Sequence, residues 1–236
     1  MIADAFRTPD GRRVPAVSAD EMREVDRVAV DEAGLALPVM MENAGRSLAR
    51  AVRERHPVRV AVLAGDGGNG GGGLACARHL ANRGVAVRVT LDRPRAALSG
   101  AAATQARILE AADVPVNTDP PAEADLVVDA LVGYGLVGPL DGPAADLAAA
   151  ADAMDAPVIS LDVPSGVNAT TGERPGPAVD PATVLTLALP KAGLVEGSTP
   201  VRLADIGIPG GVFERADLPY ESPFDAWLVD LERSPA

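Results

Sequence analysis

The sequence predicts an α/β fold, a mostly parallel sheet between two layers of helices. Three observations carry this prediction. Short apolar runs of strand length alternate along the chain with longer segments of helical spacing. Those runs are rich in Val, Leu and Ala rather than alternately polar, as expected of strands covered on both faces. Aromatic residues make up only 3% of a chain that is 47% hydrophobic, so the core must be built from small aliphatic side chains.

Each element has a local reason. Residues 1–17 read as a polar lead-in. Ser18 and Glu21 then form a capping box, opening a helix with Met22, Val25, Ala29 and Val30 on one face. Gly34 suits its end, and Pro38 suits the first turn of a second helix that runs to about Arg53. A buried strand is expected over 58–64, a glycine-rich loop over 65–73, and a helix over 74–82 that stops at Gly84. A second strand at 85–91, a helix at 99–112 and a minor strand at 114–116 follow. Residues 126–132 read as a strand, 133–143 as a loop, and the Ala-rich stretch to about Ala153 as a helix. Further strands are expected at 157–161, 184–189 and 201–203, and the tail 207–236 reads as less regular. Nothing resembles a linker or a repeat, so residues 1–236 are expected to form one domain.

Composition excludes several functions. The 21 basic and 33 acidic residues give a net charge of -12, the wrong sign for a nucleic-acid backbone. The single cysteine, Cys76, permits no internal disulfide, and two histidines make the usual zinc sites improbable. Lys191 is the single lysine beside 20 arginines. An acidic, lysine-poor, Ala-rich composition resembles proteins of salt-loving microbes, or reflects codon bias. No apolar run reaches the ~18 residues of a membrane span, and the start has no signal-peptide pattern, so a cytoplasmic protein is expected.

The chemistry gathers in three loops. Gly65, Gly67 and Gly70 match the G-x-G-x-x-G pattern between a strand and a helix, and Asp92 follows the next strand, where a ribose-binding carboxylate would sit. Seven of the nine residues 65–73 are glycine, so the pattern matches easily; a dinucleotide site and a ligand-free turn both fit. Without Gly-Lys-Ser/Thr it is not a Walker loop. Loops 65–73, 129–139 and 162–165 each follow a strand, and in an open parallel sheet such ends meet at one edge. Asn69, Asp129 and Ser165 offer oxygen ligands only, which suits a hard, monovalent cation.

Five segments occur in the order expected of the NAD(P)H-hydrate epimerase family, also called the YjeF N-terminal domain family. They are Met41-Glu-Asn-Ala-Gly45, the glycine run, Asp129-Ala-Leu-Val-Gly133, Leu161-Asp-Val-Pro-Ser-Gly166 and Leu189-Pro-Lys-Ala-Gly193. The resemblance spans residues 18–209 and implies a stand-alone epimerase on a Rossmann-like three-layer α/β/α domain. It further implies a homodimer, a bound potassium ion, and interconversion of the R and S forms of NADH and NADPH hydrated at C6. A separate ADP- or ATP-dependent dehydratase would then repair the S form; it is not expected within these 236 residues. The resemblance puts potassium on Asn69, Asp129 and Ser165. It puts the hydrated dinucleotide on Gly68, Asn69, Gly70, Gly71 and Gly72, on Gly133, Tyr134, Gly135, Leu136, Val137, Gly138 and Pro139, and on Asp162. Where the family has Asn and Asp, this chain has Gly68 and Gly72. The missing carboxylate at Gly72 is expected to leave the mouth of the site less polar.

Epimerisation at C6 breaks and remakes the C–O bond there, or opens and closes the ring; both need proton transfer. Asp162, at a strand end before Val-Pro-Ser-Gly, is the first candidate, and Lys191 the second. Glu42 and Asn43 would reach the substrate, reach a dimer partner, or cap locally. His79 and Cys76 read as a helix-face and a core residue, and His56 as a loop residue. The apolar stripe on the first helix is a candidate dimer face, or docks on its own core. The alternative to an epimerase is a non-catalytic nucleotide-binding scaffold on the same fold; no feature identifies a dehydrogenase substrate.

Overall fold

The structure is a computed structural model that describes residues 1–120 and 122–234. The chain begins with a hairpin, β1 (Ile2–Arg7) and β2 (Arg13–Ala16), paired Phe6 to Val14 and Arg7 to Arg13. This corrects the reading of 1–17 as a lead-in: Phe6, Val14 and Ala16 are fully buried, and that burial holds the hairpin on the sheet. The capping box forms as expected. Ser18 Oγ accepts from the Glu21 N–H, and the Glu21 carboxylate accepts from the Ser18 N–H. It opens α1 (Ala19–Arg27), which continues as one π-helical stretch, Val28–Glu32. Then come α2 (Leu37–Arg53), β3 (Arg59–Ala64) and α3 (Gly68–Ala81).

Helix α3 corrects the second expectation. Only residues 65–67 of the glycine run form a turn; Gly68 to Gly73 are the first turns of the helix. Glycine costs about 1 kcal/mol against alanine in a helix, so propensity alone argues for a loop. Close packing overrides it. A Cβ on Gly70 would lie 1.7 Å from the Gly65 carbonyl oxygen, and one on Gly72 would lie 2.8 Å from Leu161 Cδ2.

Next follow β4 (Ala86–Leu91), α4 (Gly100–Glu110), the short β5 (Val116–Asn117), β6 (Leu126–Ala130), α5 (Gly142–Asp152) and β7 (Val158–Leu161). The chain closes with β8 (Thr183–Leu187), β9 (Val201–Ala204), α6 (Gly210–Arg215) and β10 (Leu228–Arg233). The tail is therefore more regular than expected. Strand β10 pairs antiparallel with β9 and β1 and buries Leu228, Val229 and Leu231.

All ten strands form one sheet in the order β2-β1-β10-β9-β8-β7-β6-β3-β4-β5. Pairing is parallel from β5 to β9, and antiparallel only at the β10, β1 and β2 edge. The expected mostly parallel, three-layer architecture is thus observed. Period-2 alternation splits the core. Val60, Val62 and Ala64 of β3 face the α2, α3 and α4 side, while Ala61 and Leu63 face Leu147, Ala148 and Ala151 of α5. The chain leaves β3 toward β4 and β5 on one side, then returns to β6 on the other. The loops after β3 and β6 therefore part at a topological switch point, where such sheets bind ligands.

Met22, Val25 and Ala29 are at most 2% exposed and belong to the chain's own core, while Val30 is exposed. Three of the four stripe residues on α1 are thus spent inside the protomer, and Val30 alone of them stays exposed.

Candidate active site

A cleft of about 760 Å³ lies over the carboxyl ends of β3, β4, β6, β7 and β8, roofed by residues of α1 and α2. That volume is within the usual range for a small-molecule site. Asn69, in the first turn of α3, lies beside Gly133: a Cβ there would stand 3.1 Å from both Asn69 Oδ1 and Asp162 Oδ2. Glycine at 133 thus lets three loops close on one another. Asn69 Nδ2 is buried and has no hydrogen-bond partner among the described residues, so it is a donor free for a ligand.

Asp162 follows β7 in the left-handed region, with φ 71°. Its side chain is almost wholly buried and forms an ion pair with the Lys191 ammonium, while Oδ2 accepts the Tyr134 N–H at 3.1 Å. Lys191 is 1% exposed, and its ammonium also donates to the carbonyls of Leu187 at 2.9 Å and Leu189 at 3.1 Å. Its three donors therefore have three acceptors. The segment carrying it is pinned from the N-terminal side: Val17 N–H donates to Pro190 O at 2.9 Å, and the Val17 carbonyl accepts the Ala192 N–H at 2.7 Å. The ammonium lies 5.6 Å from the centre of the Tyr134 ring. The Tyr134 hydroxyl donates to Asp26 of α1. Burial pushes the tyrosine's pKa up, and the Asp26 charge adds to it. Burial also raises the Asp26 pKa, against the Tyr134 hydrogen bond and the Lys191 charge.

Asp129, at the end of β6, is fully buried behind the cleft. Its oxygens accept from Ser165 Oγ at 2.6 Å, Ser160 Oγ at 2.7 Å, Ser165 N–H at 2.9 Å and Leu131 N–H at 3.3 Å. Burial raises its pKa, and these donors lower it only in part. Ser165 Oγ also lies 3.1 Å from the Val132 carbonyl oxygen. Asp92 lines the cleft, but Arg93 grips its carboxylate with two parallel bonds of 2.9 and 3.0 Å.

Of the residues expected from sequence, Gly68, Asn69, Gly133, Tyr134, Gly135, Asp162 and Lys191 line the cleft. Gly70, Gly71 and Gly72 do not; they are buried on α3 behind its wall. The expectation for Gly72 needs correction: a side chain there would meet Leu161 and Ala44 in the interior rather than the mouth of the site. Leu136, Val137, Gly138 and Pro139 lead away from the cleft. Leu136 packs on the α5 side, Val137 is 85% exposed, and Pro139 abuts Gly176. Glu42 binds Arg78 and His79, tying α2 to α3, and Asn43 Nδ2 donates to Ile206 O at 3.0 Å. Cys76 is a core residue, as expected. Sequence reasoning missed Asp26, Asp66 and Arg93 as lining residues. Asp26 left one signal: it lies a helical turn beyond Met22, beside the apolar stripe.

The strand order, the switch point and the polar groups gathered there define a doubly wound α/β domain with its ligand site at the carboxyl edge. The model of the YjeF-related protein N-terminus family matches residues 38–193, and the chain belongs to that family. A Dehalogenimonas lykanthroporepellens protein named NAD(P)H-hydrate epimerase is 47% identical over 97% of this chain and 98% of its own length. A second protein of that name, from Limosilactobacillus fermentum, is 38% identical over 76% of this chain and 88% of its own. The "Bifunctional NAD(P)H-hydrate repair enzyme Nnr" of Salinibacter ruber is 35% identical over 86% of this chain, which spans 42% of that longer protein. The crystal structure of the yeast protein ynu0 superposes with a TM-score of 0.80 at 25% identity, covering 92% of this chain and all of that one.

Proposed function

We propose that the protein is an isomerase that interconverts the R and S forms of hydrated NADH and NADPH. The observation that carries the reading is the 47% identity to a protein named NAD(P)H-hydrate epimerase along nearly the whole of both chains. The cleft supports catalysis over a scaffold role, because a mere scaffold has no need of a buried aspartate–lysine pair beside an unpartnered amide donor. In this reading Asp162 moves the proton at the reacting oxygen. Lys191 holds that carboxylate in place, and Asn69 Nδ2 donates to the bound ligand.

Potassium is part of the proposal. The donor set fits it: the four hydrogen-bond donors around buried Asp129 are all neutral, so its charge has no side-chain counterion among them. One carboxylate among neutral oxygens suits a single positive charge. Asn69, Asp129 and Ser165 would hold the ion, which would neutralise the carboxylate and fasten the loops after β6 and β7 to α3. The bifunctional relatives suggest the partner activity, a dehydratase acting on the same hydrate. A homodimer is part of the proposal, and exposed Val30, Leu37 and Val39 offer its surface; sedimentation at micromolar concentration checks it.

The test is direct. A single purified epimer of hydrated NADH is followed chromatographically in potassium buffer. The protein is expected to bring it to the R/S mixture faster than buffer alone, and no acceleration rejects the reading.

A further inference from the structure

We propose that Asp26 is a second catalytic residue of this site, the acid that protonates the departing hydroxyl, with Asp162 receiving the proton of the incoming water on the other face. The inference rests on the epimerase reading and adds a residue to it. Inverting a carbon that bears a hydroxyl requires oxygen to leave one face and return to the other. A single carboxylate on one face serves only half of that exchange. The cleft has two carboxyls, and Tyr134 separates them: its backbone N–H binds Asp162, while its hydroxyl, at the far end of the side chain, binds Asp26. Tyr134 thus spans from one carboxyl to the other, and all three residues line the same cleft. Asp26 enters from α1 in the roof, and Asp162 from the sheet edge beneath.

Their surroundings also differ. Asp162 is in contact with the Lys191 ammonium. The hydrogen-bond partner of Asp26 is a neutral phenol, and burial raises its pKa, so it keeps a proton further up the pH scale than an open carboxylate. Two carboxyls in unlike company, one against an ammonium and one against a phenol, suit an acid–base pair. The other charged groups facing this space are Lys191 and Asp162 across the cleft, Arg23, Arg27 and Asp31 on the α1 side, and Asp66, Asp92 and Arg93 on the loops after β3 and β4.

The step balances. Asp26 gives its proton to the C6 oxygen, the C6–O pair leaves with that oxygen as water, and the N1 lone pair forms a C6=N1 bond. Water adds to C6 from the opposite face, the π pair returns to N1, and Asp162 takes the released proton. One proton then passes from Asp162 to Asp26 through water at the open mouth. The reverse epimerisation exchanges the two roles.

The experiment measures kcat and kcat/KM for epimerisation of hydrated NADH from pH 5 to 9, with NADP affinity measured by calorimetry. Asp26→Asn should lose about 10²–10⁴-fold in kcat, bind NADP as the wild type does, and lose the alkaline limb of the wild-type profile. Asp26→Glu should recover part of the rate. Tyr134→Phe removes a bond that lowers the Asp26 pKa; since the protonated acid is the active form, its alkaline limb should move to higher pH. If Asp26→Asn fails to fold by circular dichroism, the Tyr134→Phe shift decides. A wild type that epimerises while Asp26→Asn keeps more than about a tenth of its kcat, or a limb unmoved in Tyr134→Phe, overturns the role of Asp26 alone. A wild type that binds NADP but does not epimerise overturns the epimerase reading and this inference with it.

Discussion

Strands β6 and β7 lie side by side, and each delivers an aspartate to the carboxyl edge of the sheet, yet the two carboxylates keep opposite company. Asp129 is enclosed by four neutral donors from Ser160, Ser165 and Leu131. Asp162 accepts one backbone N–H and touches an ammonium, and it lines the cleft. A cage of dipoles fixes a carboxylate and the loops that donate to it. An ion pair at a cavity wall fixes a carboxylate while leaving it turned toward a ligand. In the proposed reading, Asp129 holds the site and its ion together and Asp162 serves its chemistry.

The sharpest way to break this contrast is Asp162→Asn. It should cut epimerisation about 10²–10⁴-fold, equivalent to about 3–5 kcal/mol at the transition state, with the fold and NADP binding retained. Turnover above about a tenth of wild type would make Asp162 a binding residue. Lys191→Met comes next. It keeps an apolar stem but strands the buried Asp162 charge, so a loss of about 3–5 kcal/mol is expected in urea unfolding. Asp129→Asn should act mainly on stability, costing about 1–3 kcal/mol because its amide meets a donor, with a rate within about tenfold of wild type. It should also alter the pH dependence. The folded-state pKa of Asp129 is raised, so its contribution is full below the ordinary carboxylate range and is lost as pH rises through the raised value. The variant lacks that loss. Ser165→Ala should have the smallest effect, about 1 kcal/mol, together with a higher potassium concentration at half-maximal stabilisation in thermal melts. An equal response of wild type and Ser165→Ala to potassium and choline would remove the ion from this position.

The central strands were legible because β3, β4, β6 and β7 are dense in Val, Leu and Ala, and the α1 start because Ser18 and Glu21 satisfy each other locally. The terminal strands were not. Ile2–Arg7 and Leu228–Arg233 carry charged residues, and they form strands only because distant segments pair with them. The first turns of α3 were hidden for the opposite reason, since their glycines are explained by contacts with Gly65 and Leu161 that local propensity does not encode. In the site, Asp162 and Lys191 were found from their motifs. Their direct pairing was not, because it depends on a loop pinned by Val17, far away in sequence. Asp26 was missed because one carboxylate on an exposed-looking helix face has no local mark of burial.

The left-handed backbone at Asp162 has a consequence for how this position can change over time. The left-handed region at φ 71° favours glycine, asparagine and aspartate, and other side chains there cost about 1–3 kcal/mol. Of these, only aspartate carries a titrating proton. The main chain therefore narrows the replacements that mutation can sample here to asparagine and glycine. A lineage that gives up proton transfer at this site would keep its fold through either of them, and a later return to aspartate would meet no backbone barrier.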